Sequence, residues 1–274
     1  MFIWSTGGLF IKLTTLDAYQ VTFFRSLLAA ITVLLWTRKD GLKIDAFGIL
    51  NTIIYALLLF LFVWATKKTT AANAIFLQYT APIYILILAP FVIGEKFHLR
   101  DLITVVVVLA GMSLFFVGQL RLEDYQGNIA ALFSGVLLGL YIMMLKHPKA
   151  ESSNPLITVI YGNFLLAILC APAGIAAIPS MTYMDWFAVS FLGVVQIGIS
   201  YILFIKGVRG GTRPLDASLI GFIEPMLNPV WVFIFVGERP SQWALLGGVI
   251  IVTAIGLHTF REYAGLRRAP VTAN

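Results

Sequence analysis

Apolar runs of about twenty residues recur along this chain, the length at which a helix crosses about 30 Å of hydrocarbon. Ten are readable: roughly 1–16, 18–36, 47–66, 71–93, 100–118, 127–146, 155–175, 186–206, 214–236 and 241–261. Backbone polar groups have no water to bond in hydrocarbon, so segments of this length must be helical. The expectation is an all-α polytopic membrane protein, and 274 residues leave no room for a separate soluble domain. Only 12% of residues are charged and 59% are hydrophobic. The net charge of +6 does not point to nucleic acid, because the basic residues fall in short loops between apolar runs. The first run is short: Met1 to Leu13 makes a helix of about 20 Å, as if the chain began inside a longer helix or the span were tilted. No cleavable signal peptide is read ahead of it. The single cysteine, Cys170, excludes an intrachain disulfide and a cysteine-based metal site.

The loops give a topology. With ten spans both termini lie on one side, and that side would carry Arg38, Lys39, Lys43, Lys96, Arg100, Lys146, Lys149, Lys206, Arg209, Arg213, Arg261, Arg267 and Arg268. The other side would carry Lys67, Lys68, Arg121 and Arg239. Thirteen against four is a positive-inside bias that places both termini in the cytoplasm.

The chain also repeats itself. At an offset of 143 positions Pro82 falls on Pro225, Gly94-Glu95-Lys96 on Gly237-Glu238-Arg239, Ala74 on Ala217, Leu102 on Leu245 and Val106 on Val249. The expected units are 1–122 and 123–274, five helices each. An odd number of spans sends the second unit in from the opposite side, so the repeat is inverted. Paired interruptions, Pro82 and Pro225, inside corresponding apolar segments are a pointer to a central solute site.

Trp4-Ser5-Thr6-Gly7-Gly8-Leu9-Phe10-Ile11-Lys12, Phe24-Arg25-Ser26-Leu27-Leu28-Ala29-Ala30, Tyr79-Thr80-Ala81-Pro82 with Gly94-Glu95-Lys96, Glu224-Pro225 with Gly237-Glu238-Arg239, and Leu246-Gly247-Gly248-Val249-Ile250-Ile251 follow one another along the chain. In this arrangement the sequence resembles the EamA-type transporters of the drug/metabolite transporter superfamily over its whole length. The resemblance implies ten helices in two inverted halves, with segments one to four and six to nine around a central cavity and segments five and ten at the edge. It implies no particular substrate. The aromatic amino-acid exporters of the superfamily have a tryptophan just before the fourth-segment proline. Ala81 stands there in this chain, which weighs against an aromatic substrate.

Glu224 leads the candidate residues. It lies near mid-span, where an ionised carboxylate costs about 3 kcal/mol on insertion scales, so it needs a cavity or a partner. Pro225 frees a backbone carbonyl beside it. Gly221, Glu224 and Asn228 follow a helical spacing that shares one face. Glu224 can hold a proton or a substrate amine, or a structural hydrogen bond. Arg25 can take a substrate carboxylate, pair with Glu224, or snorkel to the interface. Lys12 reads as a snorkelling residue. Gln78, Tyr79 and Trp4 read as cavity residues, and Gln78 and Ala81 hold the places of Gly221 and Glu224 in the other repeat. Asn163 is a further candidate ligand. Gln196, Ser134, Tyr141, Tyr55, Asn51, Ser200 and Tyr201 read as contacts between helices. Trp36, Trp64, Trp186 and Trp243 read as an interfacial belt. Glu95 and Glu238 read as caps or partners of a neighbouring basic residue.

These residues describe a secondary transporter of a small polar metabolite, an amino acid or related compound, working as an exporter, with a multidrug or lipid-like substrate as the alternative. No P-loop is present, so energy would come from the solute gradient, from exchange or from protons titrating Glu224. A membrane enzyme would need paired acids for a metal, and no Asp-x-x-Asp or His-Glu-x-x-His string occurs. The partners expected are a small-molecule substrate and the bilayer, with no cofactor and no nucleic acid, as a monomer or homodimer in the cell membrane.

Overall fold

The computed structural model describes residues 1–37, 42–115, 117, 123–150, 154–227 and 241–268, with backbone alone at 72, 115 and 262–268. All ten apolar segments carry helix, and no strand occurs among the described residues. After a 3-10 turn at Trp4–Thr6 come α1 (Gly7–Leu13), α2 (Ala18–Thr37), α3 (Ala46–Lys68), α4 (Ala71–Gln78), α5 (Ala81–Val92) and α6 (Leu99–Phe115). The second half has α7 (Tyr125–Met144), α8 (Leu156–Ala177), α9 (Tyr183–Ser190), a π-helix (Phe191–Ile199), α10 (Ser200–Arg209), α11 (Pro214–Ile220), a helical stretch at 223–227, and α12 (Gln242–Arg268). Seven stretches of the described residues are long and apolar enough to span a bilayer. α4 with α5 is one of them, and α9 with the π-helix and α10 is another.

Local chemistry sets the helix ends. Asp45 caps α3 by accepting from the Gly48 amide at 2.7 Å, and Lys67 and Lys68 close its last turn against the helix dipole. Thr70 caps α4 through the Asn73 amide. Thr182 and Asp185 form a reciprocal capping box at the start of α9. Pro214 opens α11 at a position whose amide needs no partner.

Packing runs chiefly between the two halves of the chain. α2 lies along α8 and the π-helix, α3 along α7 and α8, α4 and α5 along α7, and α6 along α12. The solvent-facing sides of the bundle are apolar: Leu57, Ile87, Phe91, Val106, Phe133, Ile168, Leu203 and Val249 are exposed. The interior holds Arg25, Asn51, Asn163, Gln196 and Glu224, all buried. An apolar outside around a polar inside is the arrangement hydrocarbon demands.

The bundle has two ends. At one, the Asp185 carboxylate accepts from the Thr14 and Thr15 hydroxyls and the Thr15 amide, and Lys67 donates to the Thr14 carbonyl at 3.0 Å. At the other, Arg213 meets Glu95 and Asp101, and Arg209 donates to the Ala150 carbonyl.

Candidate functional site

The fourth segment breaks where its proline predicts. Pro82 offers no amide to the Gln78 carbonyl. The chain tightens instead into shorter bonds, from the Thr80 amide to Leu77 O (3.3 Å) and from Ile83 to Thr80 O (3.0 Å). The freed backbone needs room, and Gly135 of α7 supplies it: a Cβ there would fall 2.8 Å from the Gln78 carbonyl oxygen. The ninth segment breaks at the equivalent place. The amides of Gly221, Phe222 and Glu224 bond to Ser218, Leu219 and Gly221 carbonyls, three positions back each time, and helix resumes at 223. Gly221 and Glu224 therefore flank a break and do not lie on one continuous helical face. Asn228 lies outside the described residues, as do Pro229, Trp231 and the Gly237-Glu238-Arg239 turn.

The two breaks meet. The Tyr79 hydroxyl donates to Glu224 Oε2 at 2.7 Å, and the Tyr79 ring packs on Phe222 with centroids 5.1 Å apart. Gly221 makes the approach possible, since a Cβ there would stand 2.8 Å from Tyr79 Cε1. At the offset of 143, Tyr79 and Phe222 are equivalent positions. Each half thus places its interrupted helix against the same point of the other.

Beside this junction lies a cavity of about 50 Å³, enough for a few water molecules. Glu224, Tyr79, Gln78, Arg25 and Trp4 line it, joined by Gln196 and Tyr201. The remaining wall is apolar: Leu58, Leu59, Phe62, Leu138 and Ile197. Gln78 is steadied by donating from Nε2 to the Ser134 hydroxyl at 3.1 Å. Trp4 stacks obliquely on Tyr201 and Phe204, at 5.0 Å from each.

Arg25 is 3% exposed and does not snorkel. Its Nε and Nη1 have no hydrogen-bond partner, and it forms no ion pair with Glu224. Trp4 Nε1 and Gln196 Oε1 are also unpaired. Each such buried group costs about 1–3 kcal/mol. Three unmet donors and one unmet acceptor thus stand around a carboxylate.

Other expectations change in the structure. Asn163 does not line this cavity: its side-chain nitrogen donates to the Tyr55 hydroxyl (3.0 Å) and the Val159 carbonyl (2.8 Å), so it holds the tyrosine that packs behind Tyr201, while its Oδ1 has no partner. Lys12 donates to the Thr69 carbonyl at 2.8 Å, a tie between segments. Glu95 pairs with Arg213, 118 positions away, and not with a neighbour in sequence. Gln196 and Tyr201 read as helix contacts from sequence, yet both reach the cavity. The π-helix turns Gln196 inward, and Gly7 leaves the slot it fills, with a Cβ there only 2.6 Å from its Nε2. Wide turns of this kind recur at functional sites. No residue pattern announced this one.

Residues 1–117 and 125–260 match the EamA-like transporter family. The chain belongs to that family. It is a multi-pass membrane protein of the drug/metabolite transporter superfamily. An uncharacterized transporter of Bacillus subtilis, YxxF, is 25% identical over all of this chain and 90% of its own length. The pseudopaline exporter CntI of Pseudomonas aeruginosa is 22% identical over 88% of this chain and 85% of its own. A solved crystal structure superposes with a TM-score of 0.73 at 17% identity, covering 94% of this chain and 93% of that one, which shows a common fold.

Proposed function

We propose that this EamA-family protein is a secondary active transporter that exports a small polar metabolite, an amino acid or related compound, by alternating access. The observation that carries this reading is the junction of two equivalent helix breaks, Tyr79 on Glu224, beside a cavity holding an unpaired arginine. Arg25 offers a planar fork for a carboxylate. Glu224 offers an acceptor for an amine or a proton. A zwitterion satisfies both and adds no net charge to the membrane interior.

The architecture we infer is ten transmembrane helices in two inverted halves, 1–122 and 123–274, with cytoplasmic termini in the cell membrane. Packing supports it. Exchanging the halves turns the α3–α7 contact into that of the first segment with the eighth, and the α2–π-helix contact into that of α3 with α8. The α2–α8 and α6–α12 contacts map onto themselves. Such a bundle can present one site to either face by exchanging the roles of its halves. One chain holds the whole pathway, so a monomer suffices. That a curated relative is named as an exporter supports the direction.

The test is a thermal-shift screen of purified protein against amino acids, amines, nucleosides, sugar phosphates and hydrophobic drugs, with Glu224→Gln alongside. A ligand that binds only the folded state raises apparent stability by mass action. Stabilisation by one zwitterionic class, lost in the variant, is the expected result. Stabilisation by many hydrophobic compounds would replace it with the multidrug reading.

A further inference from the structure

The end of the bundle opposite Asp185 carries a charged cluster that the transport site does not use. Arg213, the residue before α11, bonds through Nε to Glu95 Oε1 at 2.5 Å and through Nη2 to Asp101 Oδ2 at 2.7 Å. Glu95 is delivered by the turn after α5, where Gly94 takes φ +69° and the Glu95 amide returns to the Ala89 carbonyl. Asp101 opens α6 and is 1% exposed. Asp216, in the first turn of α11, meets His258 Nε2 of α12 at 2.7 Å. His258 Nδ1 stands 4.0 Å from Asp101, and His98 Nδ1 3.7 Å from it. Two residues of one helix start thus tie it to the α5–α6 turn, α6 and α12. Burial works against the charge of Arg213, but its hydrogen bonds to Asp101 and Glu95 outweigh that and raise its pKa.

The internal repeat supplies the comparison. At the offset of 143 Arg213 falls on Thr70, Asp216 on Asn73, Asp101 on Ala244 and His258 on Phe115. The start of α4 is therefore the counterpart of the start of α11, and it is held differently. The Thr70 side chain accepts from the Asn73 amide, and Asn73 Nδ2 donates to Asn128 at 2.8 Å and to Thr69 at 3.0 Å. Thr69 in turn donates to Asp124 and accepts from Lys12. These are hydrogen bonds, and no ion pair involving Thr69, Thr70 or Asn73 occurs among the described residues.

We propose that Arg213, Glu95, Asp101, Asp216 and His258 form an ionic gate that keeps the cytoplasmic end closed at rest, so that the empty transporter favours an outward-facing state. The inference rests on the alternating-access reading. Opening toward the cytoplasm moves the start of α11 away from its neighbours and breaks both ties. Opening outward moves the start of α4 and breaks, among the described residues, hydrogen bonds, with Lys12 and Asp124 among the partners. The two motions are equivalent by fold and unequal in cost.

The experiment places a cysteine at Leu58, in the cavity wall, in a Cys170→Ala background. Its labelling by a membrane-impermeant maleimide is timed in right-side-out and inside-out vesicles. Arg213→Gln should speed cytoplasmic labelling about tenfold, a discount from the full cost of a buried pair because Arg213 and Glu95 are partly exposed. It should slow outside labelling, because a population gained by one state is lost by the other. Asp216→Asn should act in the same direction and serves if Arg213→Gln does not reach the membrane. Labelling that rises from both sides would mean general loosening, and unchanged labelling would mean no gate; either overturns the proposal. If the parent cysteine labels from neither side, alternating access itself fails, an outcome distinct from loss of the gate.

Discussion

An arginine buried without a partner makes two opposite demands on one side chain. Arg25 holds unmet donors against the cavity, and a guanidinium left so costs the empty protein stability. Arg25→Met should therefore raise the thermal midpoint of the ligand-free protein, by an amount equivalent to about 1–3 kcal/mol. The same change should abolish ligand-induced stabilisation. Arg25→Lys should keep the charge and lose the fork, weakening a carboxylate ligand about tenfold or more. A lower midpoint for Arg25→Met would mean that the guanidinium has a structural partner, and the site would lose its anion-binding half. Glu224→Gln is the complementary change. The amide can still accept from Tyr79, so the fold should survive at normal membrane levels. Transport assayed from acidic to alkaline pH should be lost, or should lose its pH dependence. Normal transport with the wild-type pH profile would make Glu224 a brace for Tyr79 and nothing more.

Among the elements, the broken helices carry the design. Pro82→Ala restores an amide to the Gln78 carbonyl and lets α4 run into α5, which should swing Tyr79 off Glu224. Folding should be kept, and transport reduced by about tenfold or more, in keeping with a misplaced binding group. Gly135→Val attacks the same break from outside. Its Cβ would meet two carbonyl oxygens of the break, those of Leu77 and Gln78, within about the range that forces backbone shifts, so a cost of about 1–3 kcal/mol should appear as a lower thermal midpoint. These breaks were legible in the sequence because proline removes a donor wherever it stands. So were the helical segments and the need of a buried Glu224 for a partner, which follow from the cost of polar groups in hydrocarbon. The π-helix was not legible: Phe191 to Ile199 is as apolar as any neighbouring stretch, and the register of its hydrogen bonds leaves no mark on composition. Gln196 looked like glue for that reason. Nor could the partner of Glu95 be read, since long-range pairing depends on how helices assemble. The apolar cavity wall, Leu58 to Phe62 among it, resembles any buried leucine run.

For the whole molecule, the inverted topology makes a direct prediction. Cysteines placed in the 67–70 and 206–213 loops should label from opposite faces of the membrane; labelling from one face would remove the pseudo-symmetry on which the gate comparison rests. The packing scheme has a further bearing on what a half of this protein is. α2 rests on α8, α3 on α7 and α6 on α12, so most of the interior forms between residues before 118 and residues after 124. Neither the residues before 118 nor those after 124 would bury most of their packing surface alone. A polypeptide ending near 122 should be degraded when made alone, and the two fragments made together should find each other and assemble. Severed, the transporter would be an antiparallel pair of subunits, and the short connection near residue 122 a tether that keeps their ratio at one to one.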